Sequence, residues 1–397
     1  LFFQNVTRDH WDAIPKPMLD NTLQSLLIMV GINYWAAFPA KNIRIRGFSL
    51  SREQAQFWNE LYLKGLGEFF YITHTDFRDL IDFPFDASYE PDPVVKFERP
   101  KRSLVLNGAG KDSILSAEIL KEAGITFDFF VFSPTPAHKR IAQLTGVKNI
   151  CVERKYDPWF FRSGSYPSVS TFTFVAVLLA QLLGYDSIVF SNEKSADIGN
   201  LNYLGLDVNH QWCKSTEAEK MINEYIQKYI TTDIKTFSPL RKYSELEIVS
   251  LFVQHKKYLH DFTSCNTYFW LPRFQQIMQK KNYWCCHCPK CVFLFASFSG
   301  FLPKKELVSI FGADLYERKN LLPYIKRILG VEGFKPLDCV GEPEEMILAM
   351  YYAYKTGEYA GEPAMDLFRQ YFPEGYDFGA LEKKVFLNRE HLQAFMQ

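Results

Sequence analysis

The chain has 397 residues, enough for two or three domains that each bury a core, and its 47% hydrophobic content excludes an intrinsically disordered chain. Lys plus Arg and Asp plus Glu number 45 each, so no global field draws nucleic acid and any anionic ligand must be held by local clusters. No run reaches the roughly 18 uninterrupted apolar residues of a transmembrane helix, since residues 26–40 carry Asn33 and Pro39 and residues 172–183 have only a buried helix's length.

The start, Leu1-Phe2-Phe3-Gln4, has neither an initiating Met nor a basic leader and reads as a truncated end, which leaves targeting unread. Residues 1–98 mix short apolar runs with aromatic pairs and read as an N-terminal α+β region. They end in the turn-rich linker Ala87-Ser88-Tyr89-Glu90-Pro91-Asp92-Pro93. Over 99–236 strand and helix alternate. The predicted strands are 103–106, 127–133, 149–152 and 187–191; the predicted helices follow Lys111, start at Ala137 and span 172–183. Alternation at these lengths predicts an α/β doubly wound parallel sheet with ligands at the strand C-terminal ends, where polar clusters begin at Asn107, Ser133 and Ser191. Residues 237–397 read as a mainly helical C-terminal region carrying a cysteine cluster.

The segment Asn107-Gly108-Ala109-Gly110-Lys111-Asp112-Ser113 is a small-residue turn between a strand and a helix. Such a turn offers backbone N–H groups to an anion, and the helix dipole adds to the attraction. Its spacing differs from the P-loop of kinases and GTPases. It resembles the S-G-G-x-D-S loop of the PP-loop ATP pyrophosphatases, with Asn107 in place of the leading Ser and Ala109 in place of a Gly, a position where Cβ restricts positive φ. Downstream, Ser191-Asn192-Glu193-Lys194-Ser195-Ala196-Asp197 through Asn200, and then Asn209-His210-Gln211-Trp212-Cys213-Lys214, form a dense polar rim after a core strand. Arg241 can grip a phosphate or carboxylate bidentately, whereas Lys242 and Arg273 read as surface.

The eight cysteines are not scattered as in a secreted disulfide scaffold, which favours a reducing cytoplasm. Cys285, Cys288 and Cys291 at x2 spacing, with Cys265 upstream, suffice for a closed tetrahedral Zn²⁺ site of structural character; Cys286 or His287 could replace one of them.

Taken together, Gly-Lys-Asp-Ser, the Asn192–Asn200 rim, Val208-Asn209-His210-Gln211-Trp212, Phe237-Ser238-Pro239-Leu240-Arg241, Ser264-Cys265-Asn266, Cys288-Pro289-Lys290-Cys291 and Cys339-Val340-Gly341-Glu342 are similar to the UDP-N-acetylmuramoyl-L-alanyl-L-glutamate epimerase family. The resemblance spans about residues 100–345 and implies an ATP-dependent inversion of the terminal L-glutamate of a UDP-muramoyl dipeptide, with AMP and pyrophosphate released. It implies further that Asn107, Gly108, Gly110, Lys111, Asp112, Ser113 and Ser133 bind ATP and Mg²⁺. His210 and Lys214 would transfer protons, with Glu193 and Asp197 as orienting or metal-binding carboxylates. Asn200, Asn209, Gln211, Trp212 and Arg241 would bind the substrate. The expected partner is this small molecule, with neither nucleic acid nor membrane. Two other readings share the loop: another adenylating enzyme, such as the 7-cyano-7-deazaguanine synthases with their Cys-x2-Cys-x2-Cys cluster, and a non-catalytic nucleotide-binding module.

Overall fold

The structure, a computed structural model, describes residues 1–155, 166–270, 275–276 and 283–387. Phe2–Phe3 (β1) precedes the helices Arg8–Asp12 (α1), Lys16–Ala37 (α2), Arg52–Gly65 (α3) and Gly67–Ile72 (α4). The central region runs Ser103–Leu106 (β2), Lys111–Glu122 (α5), Phe127–Phe132 (β3), Pro136–Thr145 (α6), Asn149–Glu153 (β4), Ser168–Leu183 (α7) and Ser187–Val189 (β5). A hairpin, Leu201–Tyr203 (β6) and Leu206–Val208 (β7), comes before Thr216–Tyr229 (α8) and Lys235–Phe237 (β8). The rest is helical: Glu245–Phe252 (α9), Asn266–Trp270 (α10), Pro289–Ser299 (α11), Lys304–Phe311 (α12), Leu322–Ile328 (α13), Pro343–Thr356 (α14), Pro363–Tyr371 (α15) and Phe378–Val385 (α16).

The sheet order is β1-β4-β3-β2-β5-β8, parallel throughout except for β1, which pairs antiparallel with β4. Strands β2, β3 and β4 step outward in one direction and β5 and β8 in the other, so the connections reverse between β2 and β5. A crevice opens at the carboxyl ends of strands where the winding reverses, and this places the turn after β2 beside the segment after β5.

Because strand side chains alternate between faces, each short strand feeds two cores. Leu104, Phe130 and Ile188 pack with the N-terminal helices, α7 and α8, while Val105, Phe129 and Val189 pack with α5, α6 and the C-terminal helices. All six are fully buried, so the strands read as continuous apolar runs, as expected for a parallel sheet covered on both faces.

Residues 1–98 differ from the expected α+β region. Their single described strand, β1, completes the edge of the central sheet, and their helices cover one face of that sheet. Burial explains the difference. Helix α7 is apolar on nearly all sides, so it needs a second layer outside it, and α2 supplies one through Thr22, whose hydroxyl accepts from Gln181 Nε2 at 2.9 Å. The hairpin β6–β7 and the edge strand β8 carry too few residues for a periodic signal and were not anticipated.

Candidate functional site

The turn after β2 is held by its own side chains. Asn107 is buried, its Oδ1 accepting from Ala109 N–H at 2.9 Å and its Nδ2 donating to Asn149 Oδ1 at 3.2 Å. Ala109 adopts a positive φ of 55° despite its Cβ, and its carbonyl accepts from Thr263 N–H at 2.9 Å. A left-handed alanine costs about 1 kcal/mol or more, and these two hydrogen bonds offset it. Gly110 is required for a different reason: a Cβ there would lie 2.6 Å from Ser264 Oγ. Gly110 caps α5 without a side chain, so the first N–H groups of this 12-residue helix remain available to a ligand.

This turn forms one wall of a cavity of about 700 Å³. Its lining brings together Asn107, Gly108, Gly110, Asp112, Ser113, Ser133 and Lys214 from the residues expected by sequence. It also includes Glu245, Ser264, Asn266, Lys290 and Cys339, which sequence reasoning did not assign to the cavity. Phe130, Phe132, Phe172, Phe190 and Phe269 add a broad aromatic surface.

Lys111 does not reach the cavity as a free cation. Its ammonium is fully buried and donates to both Asp112 and Glu245. Glu245 also accepts from Lys290 Nζ at 3.0 Å, so one buried carboxylate bridges two buried lysines. Burial opposes the charge on Glu245, but Lys111 and Lys290 overcome it and hold the carboxyl well below the usual range. Ser113 Oγ donates to the Gly110 carbonyl at 3.1 Å and so closes the first turn of α5. Glu193 is the counterpart: burial raises its pKa against the pull of Lys214, and its Oε1 has no hydrogen-bond partner among the described residues.

Much of the polar rim acts as scaffold. Asp197 is exposed and accepts from the N–H and hydroxyl of Thr216 at 2.6 and 2.8 Å, bracing the start of α8. Asn200 donates to the Pro336 carbonyl at 2.9 Å and accepts from His210 N–H at 2.9 Å. Asn209 donates to the Ala196 carbonyl at 2.9 Å, and Trp212 Nε1 to Glu217 at 2.8 Å. Arg241 donates to the Glu193 carbonyl at 3.1 Å and pairs with Glu219. None of these five lines the cavity. Arg273 lies outside the described residues.

Gln211 ties this scaffold to the cavity, with Nε2 donating to the Val340 carbonyl at 3.3 Å and Oε1 accepting from Lys214 Nζ at 3.2 Å. Lys214 Nζ also lies 3.6 Å from Cys339 Sγ. His210 lies outside the main cavity, with Nδ1 donating to Glu68 at 2.5 Å. Burial would lower the His210 pKa, yet Cys339 and Glu68 raise it well above the ordinary value. For Lys214, burial is likewise outweighed by Cys339 and Glu193, so both groups are cationic.

The sulfurs of Cys265, Cys285, Cys288 and Cys291 all lie within 4.8 Å of one another, with Cys285 and Cys291 3.7 Å apart. Tetrahedral Zn–S bonds of about 2.3 Å require S···S edges of about 3.8 Å, so the spacing fits that ion. Cys286 turns away and donates to the Phe311 carbonyl at 3.1 Å, and His287 is exposed, so neither joins the four. Cys288 also caps α11 with Pro289 at its first position, and the next residue, Lys290, is thereby carried onto Glu245.

Fold and site together define an α/β protein in which an anion-favouring turn and a buried lysine–carboxylate cluster share one cavity at the reversal of a mostly parallel sheet. Residues 2–239 match the MurL N-terminal domain and residues 261–381 the MurL C-terminal domain. The chain belongs to this family, in agreement with the resemblance read from its motifs. It is 31% identical to the UDP-N-acetyl-alpha-D-muramoyl-L-alanyl-L-glutamate epimerase of Micromonospora sp., over 93% of this chain and 82% of that one. The proteins of the same name from Xanthomonas oryzae pv. oryzae and Salinispora tropica are 31% and 30% identical, over 88% and 90% of this chain and 78% of each relative. The N-terminal family domain runs through position 98 without a break, consistent with the shared core of the N-terminal helices and the sheet.

Proposed function

We propose that this protein inverts the terminal L-glutamate of UDP-N-acetylmuramoyl-L-alanyl-L-glutamate in the cytoplasm, using ATP and Mg²⁺ to activate the substrate carboxylate as an acyl-adenylate and releasing AMP and pyrophosphate. Family membership supports the substrate. The observation that carries the nucleotide dependence is the glycine turn opening α5 into the same cavity as Lys214 and Lys290, an arrangement akin to the PP-loop core.

The chemistry explains why activation is needed. An ionised carboxylate resists loss of its α-proton because a second negative charge would form beside the first. A mixed anhydride lets that charge spread onto the acyl oxygen, after which one group takes the proton and another returns it on the opposite face. In this reading the N–H groups at Gly108, Gly110 and Lys111 hold phosphate oxygens. Lys111 acts indirectly, keeping Asp112 and Glu245 charged and in place. Asp112, which lines the cavity, would hold Mg²⁺, which neutralises phosphate charge, while Glu193, buried outside that lining, would help to orient Lys214. Lys214 and Lys290 face the developing negative charge, and the rim from Asn200 to Trp212 with Arg241 sets their geometry. A Zn²⁺ held by the four clustered cysteines would be structural, because four protein ligands leave no position for substrate.

The test is incubation with ATP, Mg²⁺ and the UDP-muramoyl dipeptide, followed by quantification of D-glutamate and pyrophosphate. Both products should appear together and disappear in Asp112→Ala. Pyrophosphate without D-glutamate would replace this reading with another adenylating activity, and neither product despite ATP binding would leave a nucleotide-binding module.

A further inference from the structure

Inversion at the glutamyl α-carbon requires a group at the cavity wall that can accept a carbon-bound proton, and the residues named from sequence do not supply one in the observed arrangement. His210 is outside the cavity with its ring on Glu68, and Lys214 is held as a cation. Between them, half-buried and lining the cavity, is Cys339. Its sulfur lies 3.6 Å from Lys214 Nζ, and the sulfur and the His210 ring act on each other's charge. Its backbone is fixed as well: Cys339 N–H donates to Asp338 Oδ1 at 2.8 Å, and Asp338 accepts from Asn266, another cavity residue.

From this geometry we propose that Cys339, as a thiolate cradled by Lys214 and His210, is the catalytic residue that takes up the α-proton on one face of the activated glutamyl group. The inference rests on the epimerase reading above.

The charges around the sulfur are consistent with this role. Burial works against ionising the thiol, but Lys214, His210 and Lys290 together leave its pKa lowered from the ordinary value. Glu68 keeps His210 positive from the far side, and Glu193 and Asp112 lie beyond Lys214. In the step itself the C–H bond breaks, an S–H bond forms and the electron pair moves onto the acyl oxygen. A proton from water then reaches the opposite face and the acyl C=O re-forms; a second water hydrolyses the anhydride to release AMP, and Cys339 returns its proton to neutralise the hydroxide once the product leaves. Lys214 and His210 are positioning residues here. They hold the thiolate and would favour negative charge at the adjoining acyl oxygen. The Gln211 bridge, which joins Lys214 to the Val340 carbonyl next to Cys339, keeps the amine and the sulfur at one separation.

The experiment compares the wild-type chain with Cys339→Ala and Cys339→Ser in D₂O, reading three quantities: substrate-dependent pyrophosphate release, deuterium at the glutamyl α-carbon, and D-glutamate. Pyrophosphate release should stay within about threefold, while deuterium incorporation and inversion fall by about 100-fold or more in both variants, as expected for loss of a proton-transfer group. Serine preserves the size and packing of the side chain, so a merely structural role would be satisfied by Cys339→Ser. Deuterium exchange at wild-type rates in either variant overturns the assignment while leaving the epimerase reading intact. Absence of D-glutamate from the wild type overturns both.

Should the variants lose pyrophosphate release as well, alkylation of wild-type Cys339 by iodoacetamide, read by peptide mass spectrometry, decides. The proposal requires reaction below the ordinary thiol pKa of about 8.5 and protection by the UDP-muramoyl dipeptide with ATP. Reaction only above that pH, or no protection, overturns it.

Discussion

Replacing Glu245 by Gln tests whether the cavity wall is held electrostatically. Glu245 is 1% exposed and accepts from two lysines that are themselves 0% and 5% exposed. The substitution keeps the shape of the side chain but leaves two buried ammonium groups with Asp112 as their remaining carboxylate partner. Breaking a buried pair by removing one partner costs about 3–5 kcal/mol, because the surviving charge has lost both water and its counter-ion. Lys290→Met should cost less, about 1–2 kcal/mol, since Lys111 still neutralises Glu245 and the methionine fills the apolar space beside Phe293.

The pH dependence follows from the depressed carboxyl. Its folded pKa lies below its ordinary 4.5, so the stabilisation is complete above that pH and is lost as pH falls through the folded value. Urea unfolding followed by tryptophan fluorescence should therefore show a Glu245→Gln deficit that is constant between about pH 5.5 and 8 and shrinks below about 4.5. A deficit under 1 kcal/mol at pH 7, or a larger loss in Lys290→Met than in Glu245→Gln, would refute the bridging role.

Gly110→Ala should weaken ATP binding at least tenfold by calorimetry, because its Cβ would press on Ser264 Oγ at 2.6 Å and shift the turn. A Cβ at Gly108 meets nothing within 4 Å, so Gly108→Ala should leave the unfolding free energy within about 0.5 kcal/mol while Gly110→Ala lowers it by more, and equal unfolding losses in the two would contradict the steric argument. His138 lines the cavity, accepts from Thr135 N–H at 3.1 Å, and is pushed by burial down to about 4. Its contribution is present above pH 6.5 and lost as pH falls towards 4, by about 2 kcal/mol at pH 5; His138→Asn should flatten that slope in urea titrations, and an unchanged slope would show that the histidine titrates normally. Metal analysis should find about one zinc per chain in the wild type and substantially less in Cys288→Ser, with a lowered unfolding midpoint on chelation. Full zinc occupancy in that variant would remove Cys288 from the ligand set.

What the sequence determined by itself is local. The apolar runs of β2, β3 and β5 and the helices after them are legible because each is specified by neighbours within one turn or one pleat. The cysteine spacing is legible for the same reason, since Cys285, Cys288 and Cys291 approach one another over a single chain reversal.

The tertiary structure decided the rest. Lys111 lies 134 residues before Glu245 and Lys290 lies 45 after it, and no spacing rule links the first turns of α5, α9 and α11. Asn200, Asn209, Trp212 and Arg241 look chemically active in sequence, yet they spend their hydrogen bonds on backbone carbonyls and neighbouring carboxylates, because a rim packed against a core must satisfy its own polar groups. The reverse holds for Cys339. Its segment, Cys339-Val340-Gly341-Glu342, contributes to the family resemblance but gives the sulfur no chemical role by itself, and only the fold brings Lys214 to it. A thiol's reactivity depends on the field around the sulfur, and that field is made by residues distant in sequence, Lys214 lying 125 positions away.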